Sequence, residues 1–301
     1  MLRAVTALTA LIALIGIGIV VVAVMTILSQ QASGAQPWGN ELSDNIIFAR
    51  TIPFVLALGV AAGMFGGAMS RNASSTRSGQ VRRFSRATVI GHWIITLGFV
   101  LALPTGVWQY LGGIVDVTAP FPLYLSYRVH YIGAAIILFS LAYFLVYWWQ
   151  TGHHSLYVPR TQWSTHLRGL AAELPAQIGR LVTRVFRLQD GGATAPVGQF
   201  TYYETAFSFP TWTFALTLIT VTGLIKALRY LTPVPGPVLW GASTLHVAAM
   251  VLLVLKLLDH LRYVFARWPL VVAMTTTWVS DQYARAHFPA WRQKRDPTEA
   301  A

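Results

Sequence analysis

Six long apolar stretches are the feature that most constrains how this chain folds. They lie near residues 4–28, 47–69, 88–111, 127–149, 207–229 and 238–261. About 20 apolar residues in a helix cross the ~30 Å hydrocarbon core of a bilayer, and a helix satisfies its backbone hydrogen bonds internally. Each stretch reaches that length, so the sequence predicts an all-α integral membrane protein with six spans.

The first stretch raises the question of a secretory signal, because Arg3 precedes it. Its uncharged run from Ala4 to Leu28 is longer than the ~7–15 residues of a signal core. We therefore expect it to be a retained membrane span.

The composition is typical of a membrane protein. Hydrophobic residues make up 55% of the 301 residues and charged residues 11%, well below the ~25% charged fraction of soluble domains. The absence of cysteine excludes a Cys-ligated iron–sulfur cluster, a thioether-linked haem and a disulfide within the chain. The formal net charge of +12 would suggest nucleic acid as the partner of a soluble protein. In a membrane protein it is typical of basic cytoplasmic loops, so we expect no nucleic-acid partner.

The basic residues concentrate on one side of the predicted spans. Arg3, the segments 70–87 and 150–206 and the tail after residue 261 hold most of them, whereas the segments 29–46 and 112–126 carry only acidic charges. By the positive-inside rule, the basic side is cytoplasmic. The sequence therefore predicts a multi-pass protein with both termini in the cytoplasm.

Four histidines lie within these stretches at matched depths. His92 lies near the cytoplasmic start of the third span, and His130 near the outer start of the fourth. His246 and His260 lie in the sixth span, 14 residues or about 21 Å apart along a helix, near its outer and inner ends. The depth-matched pairs are His130 with His246 and His92 with His260. An ionisable residue within a span indicates a functional site, and two histidines in an apolar pocket suit a six-coordinate haem.

Four basic residues near these histidines are candidate cofactor-binding residues. Arg128, Lys226 and Arg229 lie close to the outer pair, where they would bind haem propionates or extend to the membrane interface. Lys256 lies one turn before His260 and pairs with Asp259 at i, i+3. For Lys256 the roles left open are proton delivery to a quinone, propionate binding and closure of a helix end.

Small residues and tail aromatics have two interpretations each. Four glycines would face a porphyrin or pack helices against each other, namely Gly91, Gly98, Gly106 and Gly133. The tail 280–301 would form an interfacial helix or a partner-docking surface, with aromatic residues that include Trp278, Tyr283, Phe288 and Trp291.

Several short motifs occur along the chain in a characteristic order. They are Arg83–Phe84–Ser85–Arg86, His92–Trp93, Leu103–Pro104–Thr105–Gly106, His130–Tyr131–Ile132–Gly133, Thr222–Gly223 and Leu245–His246 through His260. This set, over about residues 82–292, resembles the di-haem cytochrome b subunits of formate dehydrogenases.

The resemblance implies a fold and a set of domains. Residues 81–270 would form a four-helix haem-binding transmembrane bundle. Residues 1–80 would add an N-terminal two-helix transmembrane hairpin without a counterpart in the family, which docks another subunit or lipid. Residues 271–301 would form a cytoplasmic amphipathic tail. The membrane would be the cytoplasmic (inner) membrane of a prokaryote.

The resemblance also implies cofactors, partners and an activity. His130 and His246 would hold an outer b-type haem, and His92 and His260 an inner one near which a quinone, menaquinone or ubiquinone, is reduced. The partners would be an iron–sulfur electron-transfer subunit and a catalytic subunit. The chain itself would transfer electrons and would not be the catalytic subunit of the oxidoreductase.

A different class of function remains open, namely a cofactor-free membrane scaffold or a transporter subunit that relays protons through the histidines. Such a relay requires further buried carboxylates along its path. The sequence offers almost none within the predicted spans beyond Asp259.

Overall fold

The fold is almost wholly helical. A computed structural model describes residues 39–70, 76–115, 121–152, 156–188 and 198–295. The α-helices of these residues are α1 (Gly39–Ser70), α2 (Arg86–Gly112), α3 (Leu123–Thr151), α4 (Trp163–Glu173), α5 (Ala176–Val185), α6 (Phe209–Leu228), α7 (Gly236–Phe265), α8 (Trp268–Thr276), α9 (Asp281–His287) and α10 (Pro289–Arg295).

Two short elements and a small sheet complete the described structure. A 3₁₀ turn covers Arg160–Gln162, and a π-helical turn, Glu204–Ser208, leads into α6. The strands β1 (Thr76–Arg77), β2 (Gln80–Arg82) and β3 (Trp278–Ser280) form an antiparallel sheet in the order β1-β2-β3.

Five helical segments of the described chain are long and apolar enough to cross a membrane. They are Asp44–Ser70, Arg86–Gly112, Leu123–Thr151, Glu204–Leu228 and Gly236–Phe265. The predictions for spans two to six are therefore confirmed as helices, within a few residues at each end. The predicted first span, 4–28, lies outside the described residues.

The described chain divides into two compact units. The first contains the described residues up to 70, 86–152 and 215–255, and the second contains those of 76–85, 156–214 and 256–295. Both units draw on residues that are far apart in sequence. The predicted domain boundaries at residues 80 and 270 stay predictions.

Glycines bring the helices of the first unit into backbone contact. A Cβ on Gly59 would lie 2.3 Å from the carbonyl oxygen of Phe139, and one on Gly63 would lie 2.5 Å from that of Tyr143. Small residues allow such close packing in membranes, where it replaces the hydrophobic effect as the driving force. The face of α1 that carries these glycines therefore docks on α3 of the same chain.

Polar and aromatic contacts fix the N-terminal half of α1 on α3. Asp44 accepts a hydrogen bond from Nε of Arg128 at 2.6 Å. The ring of Phe48 stacks on that of Tyr131 with centroids 4.6 Å apart, and the Tyr131 hydroxyl donates to the side-chain oxygen of Asn45. These contacts hold the start of α1 beside the start of α3.

The core of the second unit surrounds the small sheet. Val81 on β2 and Val279 on β3 are paired and almost fully buried, and they pack with residues of α7, α8 and the tail helices. Gly79 joins β1 to β2 with a φ of +66°, which glycine adopts without strain. The sheet was not predicted from the sequence.

The tail prediction is wrong for two of its aromatic residues. Phe288 and Trp291 are 1% and 7% exposed and belong to this core. They therefore do not form an exposed aromatic surface for lipid or a partner. The guanidinium of Arg83 lies 3.9 Å from the ring centroid of Phe288. Burial lowers the pKa of Arg83. The Arg83 cation is attracted to the ring faces of Phe288 and Trp291, and this attraction stabilises the packing of both rings inside the unit.

Candidate functional site

A cavity of about 410 Å³ lies in the first unit and has two histidines on its wall. We call it the two-histidine cavity and define it by His130, His246, Gly106, Gly223 and Lys226. Helices α1, α2, α3, α6 and α7 all contribute side chains to its wall. The volume falls within the ~300–1,000 Å³ of small-molecule and cofactor sites.

The sequence-predicted outer pair therefore lines a common cavity. His130 comes from the first third of α3, and His246 from the first third of α7. Most of the remaining wall is aliphatic or aromatic, including Phe99, Leu216 and Val247. Among the residues that the structure describes, no carboxylate lines this cavity.

Hydrogen bonding fixes the orientation of the His130 ring. Its Nδ1 lies 2.9 Å from the carbonyl oxygen of Ala102 and 3.3 Å from Oγ1 of Thr105. A carbonyl oxygen can only accept, so Nδ1 of His130 carries the proton and donates it. In the neutral ring, Nε2 then has a free lone pair, which is the state that binds a metal.

His246 is oriented in the same way by a second threonine. Its Nδ1 lies 2.9 Å from Oγ1 of Thr222, whose hydroxyl donates to the carbonyl oxygen of Leu218 at 2.7 Å. The hydroxyl proton is thereby engaged, so Thr222 accepts the Nδ1 proton of His246. Both imidazoles of the cavity consequently have Nε2 as the free ligand atom.

A glycine follows each of these threonines and faces the same imidazole. A Cβ on Gly106 would lie 3.2 Å from Cε1 of His130, and one on Gly223 would lie 3.3 Å from Cε1 of His246. Any larger residue would crowd the ring and project toward the cavity. The repeated Thr-Gly pair thus provides each histidine with one hydrogen-bond acceptor and with a neighbouring position that carries no side chain.

The other glycines considered in the sequence pack helices. A Cβ on Gly91 would lie 2.6 Å from the ring of Tyr143, and one on Gly133 would lie 2.8 Å from the carbonyl oxygen of Gly98. For Gly91, Gly98 and Gly133 the helix-packing interpretation therefore describes what the structure shows, and only Gly106 of the four faces a cavity histidine.

The predicted cationic residues separate into two groups. Lys226 and Arg229 line the two-histidine cavity, as expected for residues that bind an anionic group of a cofactor. Arg128 forms an ion pair with Asp44 and is not part of the cavity wall. Lys226 and Arg229 therefore lie on the cavity wall and Arg128 does not, and cofactor binding by all three stays a prediction.

The residues of the predicted inner pair lie in different units. His92 is in α2 of the first unit, and its ring packs edge-on against Trp93 with centroids 5.5 Å apart. His260 is in the part of α7 that belongs to the second unit, and its ring packs edge-on against Trp212 at 6.0 Å. The inner pair stays a prediction.

Lys256 belongs to a charged network in the second unit that also contains Asp259, Tyr203 and Arg262. Nζ of Lys256 donates to Asp259 at 2.6 Å, which confirms the predicted i, i+3 pair, and the Lys256 side chain is only 2% exposed. Arg262 donates to the same carboxylate at 3.0 Å, and so does the Tyr203 hydroxyl. Burial and the carboxylate of Asp259 raise the pKa of Tyr203, so its phenol remains a donor.

Several contributors to these sites were not predicted from the sequence. Phe48 and Ile52 of α1 line the two-histidine cavity, although α1 was assigned no role in a site. The Tyr203 contact to Asp259 joins residues 56 positions apart, and no local pattern marks it. The Thr-Gly pairs at 105–106 and 222–223 were visible as motifs, but the sequence did not reveal that each contacts a histidine.

Comparisons with known proteins add no assignment. No protein-family model matches the chain, and no curated protein matches it either. Within the described residues, no group of three or more His, Cys, Asp or Glu side chains is placed to hold a metal ion. The two-histidine cavity offers two imidazole nitrogens, from His130 and His246.

Proposed function

We propose that this chain is the membrane-anchoring di-haem cytochrome b subunit of a multi-subunit oxidoreductase. It would transfer electrons across a prokaryotic cytoplasmic membrane between an iron–sulfur partner subunit and the quinone pool, with both termini in the cytoplasm. The observation that carries the proposal is the two-histidine cavity. It combines two imidazoles with free Nε2 atoms, an aliphatic wall, and the cations Lys226 and Arg229.

The cavity residues fit a b-type haem. His130 and His246 would hold the haem iron through their Nε2 atoms, and the lack of a side chain at Gly106 and Gly223 leaves the neighbouring part of the cavity wall uncovered. Lys226 and Arg229 would pair with propionates, which need cationic partners in an apolar environment. When bound, a haem supplies reversible one-electron oxidation and reduction at its iron.

The protein's own contribution is orientation, insulation and charge. Thr105 and Thr222 hold the Nδ1 protons of the two histidines and fix the ring planes. The aliphatic wall excludes water, which governs the potential of a buried redox centre. His92 and His260 would ligate the inner haem, and the charged network around Lys256 would deliver protons to a quinone on the cytoplasmic side.

The composition of the cavity wall favours a cofactor over a proton relay. A relay needs a chain of groups that exchange protons, and buried carboxylates are the usual members of such chains. The described wall contains no carboxylate, and the Nδ1 atoms of both histidines are committed to hydrogen bonds. The cofactor-free transporter is therefore the weaker proposal.

Single and double histidine variants test the ligand pairing. We expect the purified chain to hold two b-type haems by a pyridine haemochrome assay, and His130→Ala and His246→Ala each to lose one. The double variant should also lose only one, because both ligands serve the same haem. His287→Ala is the control, since this exposed tail histidine should not affect haem content. Loss of both haems in the double variant, or loss of none in the single variants, would refute the pairing.

A further inference from the structure

Helix α5 presents three different faces. Its inner face packs on α4, since a Cβ on Gly179 would lie 2.3 Å from the carbonyl oxygen of Ala171. A second face is apolar and exposed, and a third carries only basic charges. Helix α5 belongs to neither the two-histidine cavity nor the charged network, so the proposed function assigns it no role.

The apolar face consists of three aliphatic side chains. Ile178, Leu181 and Val185 are 49%, 57% and 64% exposed. Their spacing of three and four residues places them along one stripe of the helix. The centre of the stripe lies about 130° around the helix from residue 179, so the stripe is not the face that packs on α4. An apolar stripe of this kind indicates an interaction surface.

The basic face lies beside the apolar stripe. Arg180 and Arg184 are one turn apart on α5, and Arg187 lies two residues beyond its end; all three are exposed. None of them forms an ion pair with a described residue, and Arg180 donates Nε to the carbonyl oxygen of Ala176. No acidic residue occurs between Ala176 and Leu188. The exposed charge of the helix is therefore entirely positive.

We infer that α5 lies on the surface of an anionic phospholipid leaflet. The stripe of Ile178, Leu181 and Val185 would enter the boundary between headgroups and acyl chains, about 5–10 Å deep, while the arginines bind lipid phosphates. An aliphatic stripe beside a basic face is typical of helices that lie in a membrane interface. This inference is independent of any haem.

Charge complementarity and tethering favour lipid as the occupant of this surface. Exposed arginines that form no ion pair with a described residue complement the negative surface of a leaflet, and each contributes roughly fivefold to the preference for an anionic over a neutral membrane. The chain enters α5 after the candidate span Leu123–Thr151 and leaves it before the candidate span Glu204–Leu228. A helix attached at both ends to membrane-spanning segments meets lipid at a high effective concentration.

A single fluorescent probe on the apolar stripe tests this inference. The chain has no cysteine, so Leu181→Cys provides a unique attachment site on the full protein. The labelled protein is placed in bilayers of phosphatidylcholine alone or with phosphatidylglycerol. We expect quenching by a nitroxide on the upper acyl chain, and protection from aqueous iodide, to be several-fold stronger with phosphatidylglycerol.

Matched arginine variants separate charge from side-chain shape. Replacement of Arg180, Arg184 and Arg187 together by Lys keeps the charge and should keep the nitroxide quenching. Replacement of the same three residues by Gln should remove most of the difference between the two bilayers, by up to about a hundredfold in partitioning. Retention of His130- and His246-dependent haem in these variants would show that the fold is intact, and a circular-dichroism melt does so if no haem is found.

Three results would overturn the inference. Full access to iodide in both bilayers would place the stripe in water. Protection from iodide without nitroxide quenching would mean that protein, either a second copy or another subunit, covers the stripe. Equal quenching in both bilayers that survives the Gln replacements would exclude recognition of anionic headgroups. None of these results bears on the haem proposal, which is tested by haem content.

Discussion

The two-histidine cavity and the charged network are both polar features of apolar helices, yet they are built in opposite ways. The cavity histidines bond to neutral acceptors, a carbonyl oxygen and two threonine hydroxyls, and face open space. Lys256 is bonded to a carboxylate that also accepts from Tyr203 and Arg262.

The difference shows what each arrangement is suited to do. Neutral acceptors hold one proton on each imidazole and leave the other nitrogen as a ligand atom, whereas a carboxylate keeps a buried ammonium charged. The cavity is therefore arranged to receive a group from outside the chain. The network holds its charges within the chain.

Filling the two-histidine cavity should have the largest effect, because it removes the space that a cofactor would occupy. Gly223→Leu places a branched side chain where even a Cβ lies 3.3 Å from the His246 ring. We expect the variant to lose one of two haems completely, by pyridine haemochrome assay. Gly241→Leu is the control, because no atom lies within 4 Å of a Cβ at that glycine of α7. Equal haem content in the two variants would contradict the proposed cofactor site.

Removing the Asp259 carboxylate from the charged network should have the next largest effect, on stability. Asp259→Asn leaves Lys256 buried without a counter-charge, and loss of one partner of a buried pair costs about 3–5 kcal/mol. Asp259 is a quarter exposed, so we expect a destabilisation of about 2–3 kcal/mol. Thermal unfolding in detergent measures it, with Arg262→Gln as control because that side chain is 70% exposed. Equal melting of the two variants would show that the buried lysine does not depend on Asp259.

Threonine variants should show how much the acceptors of the two Nδ1 protons contribute to haem affinity. Thr222→Val removes an acceptor that lies 2.9 Å from Nδ1 of His246. Thr105→Val removes a more distant one, at 3.3 Å from Nδ1 of His130, which keeps the Ala102 carbonyl at 2.9 Å. We expect a 10–100-fold loss of haem affinity for Thr222→Val and a smaller loss for Thr105→Val. Haem-transfer kinetics to an apo-globin measure this, with the exposed Thr244→Val as control. A larger effect at Thr105 would contradict the assigned acceptors.

A partly exposed pair of ionic contacts at the start of α9 should give the smallest effect. Hydrogen bonds from Arg285 and Arg292 lower the pKa of Asp281, whose side chain is 26% exposed. A lowered carboxyl pKa stabilises the fold above the unfolded value and is lost as the pH falls through the folded value. The protection of amides in α9 and α10 from hydrogen exchange, relative to their intrinsic exchange rates, should therefore fall modestly below about pH 4. In Asp281→Asn we expect this acid step to be absent, and an unchanged step would assign it to another group.

Much of the fold follows from sequence because hydropathy and helix length are local properties. Five predicted spans agree with described helices, and His130 and His246, which were paired from the sequence, line one cavity. The docking of α1 on α3 depends on glycines that meet carbonyl groups of another helix. Sequence shows the glycines at 59 and 63 but not the helix that they contact.

The remaining features depend on contacts between distant parts of the chain. The strand pairing of β2 with β3 joins residues about 200 positions apart, and strands of three residues carry no periodic signal. The burial of Phe288 and Trp291 follows from this sheet and from Arg83, so composition alone suggested a membrane-facing tail. The contact of the Thr222 hydroxyl with His246 joins two different helices, so the sequence around Thr222 does not predict it.

The most direct test of the central claim is a dithionite-reduced minus oxidised absorption spectrum of the full chain in native membranes and after purification. We expect the sharp α-band of a low-spin b-type haem, with two haems for each chain and a half-size band in His246→Ala. Absence of any haem band in native membranes, or an undiminished band in His246→Ala, would refute the proposal that this chain is a di-haem cytochrome.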